Sequence, residues 1–266
     1  MKNRMNWLLA LGLAMTVAGC SSKTTETGGE TKEETKEETK EETKEETKEE
    51  TSVELTSYAD YVAAKEGTPV VMETYVQAKQ NWWEGAATLY TQNEEGAIFV
   101  YNAEVTEEDF AKLVEGQKIR VTGARAEFSG EIEIGEDENG KLPQIEILDG
   151  NWIAPVTDVT DLLGKDEIIN EQNKKVAFKG LTIEDYDGEG HAVAFKNEQE
   201  KKDDIYFKAS LNGTTYDFCV EAYLTDEETD VYKTVSGLQV GDVVDMEGFL
   251  YWYNGMNPHI TSVTVK

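Results

Sequence analysis

Two stretches of this chain, 125 residues apart, carry the same ladder of glycines. In the first the glycines stand at 116, 123 and 130, and in the second at 241, 248 and 255. The apolar positions between them agree as well, Ile119 and Val121 answering Val244 and Met246. Such alternation sends every second side chain to one face of a strand. A glycine before, within and after the strand marks a turn, a bend and a loop. An internal repeat constrains the fold more than composition does, because each copy must be a unit that folds the same way.

Upstream the copies match in kind. The first opens with an alternating strand from Val70 to Ala78 and turns at Asn81–Gly85. A hairpin follows, Ala86–Thr91 and Ala97–Tyr101, across Asn93–Gly96. Next comes a short amphipathic helix from Thr106 to Val114, with Thr106 as its cap and Phe110, Leu113 and Val114 inward. The second copy has a strand at Lys175–Ile183, a turn at Asp185–Gly188, and strands at Ala192–Lys196, Asp204–Leu211 and Thr214–Tyr223. A helix at Glu227–Val235, the glycine strand and a last strand at Ile260–Val265 complete it. Three strands, a helix and two strands is the order of the OB-fold, a five-stranded Greek-key barrel. The expected fold is mostly β: two tandem five-stranded OB-like barrels, each with a short helix, at 57–150 and 174–266. A connector at 151–173 turns helical near Asp158–Leu163.

The N-terminus adds a location. Lys2 and Arg4 precede an apolar run of 13 residues, Trp7 to Gly19. A membrane span needs roughly 20 residues, so the run suits the apolar part of a secretory signal. It ends in Val17-Ala18-Gly19-Cys20, which resembles the lipobox of bacterial lipoproteins. The resemblance implies that residues 1–20 are a signal peptide and that Cys20 carries the lipid. It also implies a membrane anchor on the extracytoplasmic face. Residues 57–266, with their glycine strands, resemble a group of Gram-positive bacterial lipoproteins with tandem OB-like domains. The shared motifs are structural and bring no catalytic residue across. Between signal and domains, residues 21–56 contain five copies of Thr-Lys-Glu-Glu at 31–50. No core can form from that composition, and Lys32, Lys36, Lys40, Lys44 and Lys48 would repel along one helix face. A disordered tether is expected, spanning roughly 30–36 Å.

Residues 55–266 carry 17 basic and 41 acidic side chains, a balance of −24. Affinity for a phosphate backbone comes largely from Lys and Arg, so no nucleic-acid partner is expected. A neutral saccharide or a protein stays open. Composition leaves the oligomeric state unspecified. Cys219 has no second cysteine to pair with once Cys20 is lipidated, and its alternating surroundings place it in a core. Catalysis is not expected: there is no Gly-x-Ser-x-Gly, phosphate-cradling glycine loop or zinc-spaced Cys/His cluster. His191 and His259 lie far apart in sequence, and His259 reads as a loop residue. No cofactor is expected. Asp185, Asp187 and Glu189, bent by Gly188 and Gly190, have the oxygen-rich look of a calcium loop, and a plain polar turn is the competing reading.

The aromatic residues point to a site. Trp82 and Trp83 are adjacent at the first loop of copy one, and adjacent strand residues face opposite sides. Tyr251, Trp252 and Tyr253 fall near the last loop of copy two. OB-folds bind through these two loops, and aromatic faces stack on sugars or apolar protein groups. The expected ligand surface is Trp82, Trp83, Tyr251, Trp252 and Tyr253, with hydrogen bonds from Asn254 and from Gln80, Asn81 and Asn257. Packing of the same rings at barrel ends or between domains is the alternative. The function expected is a membrane-anchored binding lipoprotein, or else an accessory subunit of a surface complex with no small ligand.

Overall fold

A computed structural model describes residues 53–197 and 202–266. The signal-like segment, Cys20 and the repeats at 31–50 lie outside the described residues. Thr56, read above as the tether's last residue, is paired: its N–H donates to the Val71 carbonyl (2.7 Å) and its Oγ1 accepts from Val71 N–H (3.1 Å). Helix α1, Tyr58–Ala63, follows, capped by Ser57. It buries Tyr61 in the first core. Among the described residues no helix is long and apolar enough to cross a membrane.

The first barrel has the order expected. Strands β1 (Pro69–Lys79), β2 (Ala86–Gln92) and β3 (Ala97–Glu104) precede helix α2 (Glu107–Lys112), then β4 (Gln117–Phe128) and β5 (Glu131–Gly135). Pairing runs β1-β2-β3-β5-β4 and returns to β1, closing the ring, with β3 and β5 parallel. An added strand, β6 (Gln144–Asn151), lies along β4. Thr106 caps α2, and Leu113 is buried as expected. Val114 is not inward: the backbone leaves the helix at Leu113, which turns the next side chain to solvent.

The second barrel repeats this. A two-residue strand β7 (Thr157–Asp158) pairs parallel with β8 (Lys175–Ile183). After β9 (Val193–Phe195) come β10 (Ile205–Leu211), β11 (Thr214–Val220), helix α3 (Asp230–Ser236), β12 (Val243–Phe249) and β13 (His259–Val265). The ring β8-β10-β11-β13-β12 closes back on β8, again with one parallel pair, β11 and β13. The chain between the barrels forms 3₁₀ turns at Thr160–Leu162 and Asp166–Glu171, and its Val159 and Ile168 are buried in the second core.

The glycine ladder has a structural meaning. Gly116 and Gly241 sit at φ +87° and +93°, where a side chain would be strained, and each opens its barrel's fourth strand. Their N–H groups donate to equivalent carbonyls of the first strand, Val76 at 2.7 Å and Ile183 at 2.9 Å. Gly123 and Gly248 then face Val70 and Val176 at that strand's start. Ile119 and Val121 point into one core, Val244 and Met246 into the other. Each such side chain, fully buried, contributes roughly 1.5–3 kcal/mol.

A third apolar cluster joins the barrels. All seven residues of β2 are buried: Ala87 and Leu89 face the first core, while Tyr90 faces the second barrel. Tyr90 stacks on Phe249 (centroids 4.4 Å, planes 15° apart) and its hydroxyl meets His259 Nδ1 at 2.8 Å. Phe99 meets Tyr251 edge-on at 5.4 Å, and Tyr251 stacks on His259 at 4.5 Å. His259 is thus not a loop residue; it opens β13 and is buried in the seam. Cys219 is buried too, but beside Tyr206 on the outer side of β11, not in the barrel core.

Candidate functional site

OB-folds recognise ligands on the face of strands two and three and on the loops between strands one and two and between four and five. In the first barrel the β2–β3 face and the β4–β5 turn are occupied by the second barrel. The structure divides the expected aromatic surface accordingly. The Trp252 N–H donates to Glu131 Oε2 (2.9 Å), and the indole packs on the second core while its edge lies against Gly130. Tyr253 rests 5.8 Å from the Phe128 ring, and the Asn254 N–H donates to the Ser129 carbonyl at 2.7 Å. Tyr251 and Trp252 therefore belong to the inter-barrel contact, while Tyr253 (51% exposed) and Asn254 stay exposed at its rim.

Trp82 and Trp83 are placed otherwise. Trp83 and Ala86 exchange backbone hydrogen bonds (3.2 and 2.9 Å) around a two-residue turn, Glu84 at φ 48° and Gly85 at φ 90°. That turn type matches the twist of the flanking strands. Trp82 donates through Nε1 to the Val105 carbonyl at 3.3 Å and is 36% exposed; Trp83 is 67% exposed. The second barrel adds a residue that sequence reasoning missed. Asn81 N–H donates to the Tyr223 carbonyl at 2.8 Å, bringing Tyr223, 54% exposed, alongside the turn. No local pattern signals this, because Tyr223 ends an apparent strand and its exposure is set by the docking of the barrels. Gln80, expected to meet a ligand, instead holds both oxygens of Glu221 at 2.9 and 2.8 Å.

The acidic loop is also rearranged. Asp187, Glu189 and His191 bring ligand atoms within 4.8 Å of one another, all exposed. Asp185 is not part of that group. It accepts from the N–H groups of Gly188 and Gly190 at 2.8 and 2.9 Å, as an Asx-type turn does. The His191 ring bonded to Asp187 (2.6 Å) holds that carboxyl down at about 2.

An open polar cleft of about 720 Å³ lies at the β4–β5 turn, lined by Lys65, Arg125, Glu127, Ser129, Trp252 and Asn254. Behind it stands a buried carboxyl. Glu131 accepts from Asn173 Nδ2 and from the Trp252 N–H. Burial pushes its pKa up to about 8; the two hydrogen bonds oppose the shift and neighbouring Glu133 adds to it. The folded chain therefore holds this proton where an unfolded chain, near 4.5, has released it. Stability should fall as pH rises between those values, by about 1.4 kcal/mol per pH unit from this group. Urea melts at several pH values should show that slope in the parent and lose it in Glu131→Gln. Equal slopes would mean that Glu131 does not titrate in this window.

No family model matches this sequence, and no curated protein matches it. Solved structures do. The p204 HINb domain aligns over 76% of this chain and 100% of its own at 10% identity, with a TM-score of 0.34. The Ifi202 HINa domain in complex with 20-bp dsDNA covers 76% and 96% at 15% identity, TM-score 0.30. A replication protein A heterotrimer bound to ssDNA covers 75% and 49% at 11% identity, TM-score 0.31. At these identities the likeness is one of fold. It nevertheless corrects the expectation that nucleic acid is excluded, because chains similar in fold are bound to dsDNA and ssDNA. A net charge sums over the whole surface and fixes no local potential. In the open cleft Lys65 and Arg125 stand with Glu66 and Glu127, a local balance of zero in a chain of −29, with Arg125 paired to Glu127 at 2.8 Å.

Proposed function

We propose that this chain is a binding protein, lipid-anchored through Cys20 on the extracytoplasmic face. On this reading it captures a neutral saccharide or a protein on the Trp82–Trp83–Tyr223 surface, without catalysis. The observation that carries the reading is Trp83, two-thirds exposed beside a hydrogen-bonded two-residue turn. A large aromatic held outward has given up the stabilisation of burial and offers its face for stacking on a sugar ring or an apolar group. Asn81, exposed beside it, can hydrogen-bond hydroxyls or peptide groups. A second reading, an accessory subunit without a small ligand, draws on the seam, which uses the first barrel's β2–β3 face for internal contact.

Glycan-array and pull-down measurements on cells bearing the full chain test the proposal. Trp83→Ala should reduce capture about 10-fold or more while stability stays within about 0.5 kcal/mol. Cys20→Ala should release the protein from the membrane and end palmitate labelling. Undiminished capture by Trp83→Ala would refute the site, and persistent labelling of Cys20→Ala would refute the anchor.

A further inference from the structure

We propose that the Trp82–Trp83–Tyr223 surface takes the arginine side chains of a basic protein segment. This rests on the reading of those rings as a recognition surface, and it decides between the two ligands named for them. Exposed aromatic faces can serve either class, since sugars and cations both settle on an indole. The charges set around the rings separate the two.

Glu84 follows Trp83 directly and is exposed within the turn. Glu104, also exposed, stands opposite Ala86 in the β2–β3 ladder. Its neighbour Val105 is tied to the same loop: the Val105 N–H donates to the Gly85 carbonyl (2.8 Å), and its carbonyl accepts from the Trp82 indole. Among the described residues neither carboxylate has an ion-pair partner; Glu104 accepts from the Gln144 amide at 2.8 Å, and the Glu84 carboxylate accepts from no group. The nearest lysine in sequence is spent elsewhere. Lys79, which ends β1, donates to the Phe110 carbonyl (2.7 Å) and lies over that ring. Lys196, on the Tyr223 side, is held by Asp204 at 3.0 Å. The turn is therefore locally anionic, unlike the balanced cleft at the β4–β5 turn.

An arginine answers both features. Its planar guanidinium stacks on an aromatic face, and its edge N–H groups form a fork that suits a carboxylate. A neutral sugar makes no use of the charge. Two donors that would serve its hydroxyls are also spent inside the protein: the Gln80 amide on Glu221, at 2.9 and 2.8 Å, and the Trp82 indole on the Val105 carbonyl, at 3.3 Å. A phosphate at this turn would meet Glu84 and Glu104 as like charges.

NMR titrations of the full chain, read at the Trp82 and Trp83 indole N–H signals, test this. The probes are the peptide acetyl-Gly-Arg-Arg-Gly-amide, its citrulline counterpart, cellotetraose and an oligothymidylate. Citrulline keeps the shape of arginine and loses the charge. The arginine peptide should bind with a Kd of about 1 mM or tighter, and the citrulline peptide about 10-fold more weakly or worse. Glu84→Gln combined with Glu104→Gln should weaken the arginine peptide about 5-fold or more at an unchanged melting temperature, because both side chains are exposed. Raising the salt from about 50 to 500 mM should weaken it comparably. Equal binding of the arginine and citrulline peptides, indifference to the paired Glu→Gln changes, or a preference for the oligothymidylate would overturn the proposal. A response to cellotetraose with none to the arginine peptide would also overturn it, and would leave the aromatic surface standing. Silence toward every probe up to about 10 mM would end both readings.

Discussion

Gly248→Ala is expected to cost about 3 kcal/mol or more, at or beyond the upper end of ordinary overpacking. A Cβ at this position would lie 2.2 Å from the His259 carbonyl oxygen and 2.8 Å from Ile260 Cα. Both are backbone atoms of β13, at the point where the pairing of β12 with β13 slips by one residue. A strand backbone cannot move aside there without breaking its own ladder. Gly123, the matching position in the first barrel, differs in kind. Its nearest neighbour is a side-chain methyl of Ile134, at 2.6 Å, which can rotate or shift. Gly237→Ala supplies a control, since its added methyl would make only ordinary contacts at 3.6 Å or beyond. Urea denaturation of the two variants should place them several kcal/mol apart. A Gly248→Ala protein as stable as Gly237→Ala would show that the β12–β13 approach is looser than described.

Tyr90→Ala should be equally damaging, by about 3–5 kcal/mol as for other buried aromatic truncations, and its effect should reach both barrels. Tyr90 stands on a first-barrel strand but spends its ring on Phe249 and its hydroxyl on His259, both in the second. Removing it leaves a void in the seam and takes from the buried His259 Nδ1 its nearer partner, with Glu221 Oε2 left at 3.5 Å. The parent is expected to unfold in one calorimetric transition, because the described residues of both barrels fall in one compact unit. Tyr90→Ala should broaden that transition or split it in two. A single transition at an unchanged temperature would mean that the seam contributes little.

Much of the barrel architecture was legible because it rests on local signals. The ladder at Gly116 and Gly241 is legible since only glycine suits the positive φ that opens the fourth strand. The Asn212-Gly213 turn, at φ 53° and 82°, is legible for the same reason. Helix α1 was overlooked although Ser57 and Asp60 form a cap at its start; next to a long polar segment, six residues carry too little periodicity to stand out. Strand β6 was overlooked although Ile145 and Ile147 alternate. The seam is a different matter. Strand β2 reads as a plain hairpin strand, yet it has no charged residue, and strands covered on both faces are predominantly apolar. That composition was the one available hint that a second surface covers it. The aromatic site was half legible for the same reason: adjacency shows that Trp82 and Trp83 cannot both be core. Only docking decides that Tyr251 and Trp252 face inward while Tyr223 faces out.

The seam also bears on what half of this molecule would be. A barrel cut out at the connector would carry Tyr90 and Phe99 bare on an otherwise finished surface, an invitation to self-association. Its counterpart would present Phe249 and the ring of Tyr251 in the same way. Each copy thus finishes the other's surface, and neither fragment is a smaller version of the whole.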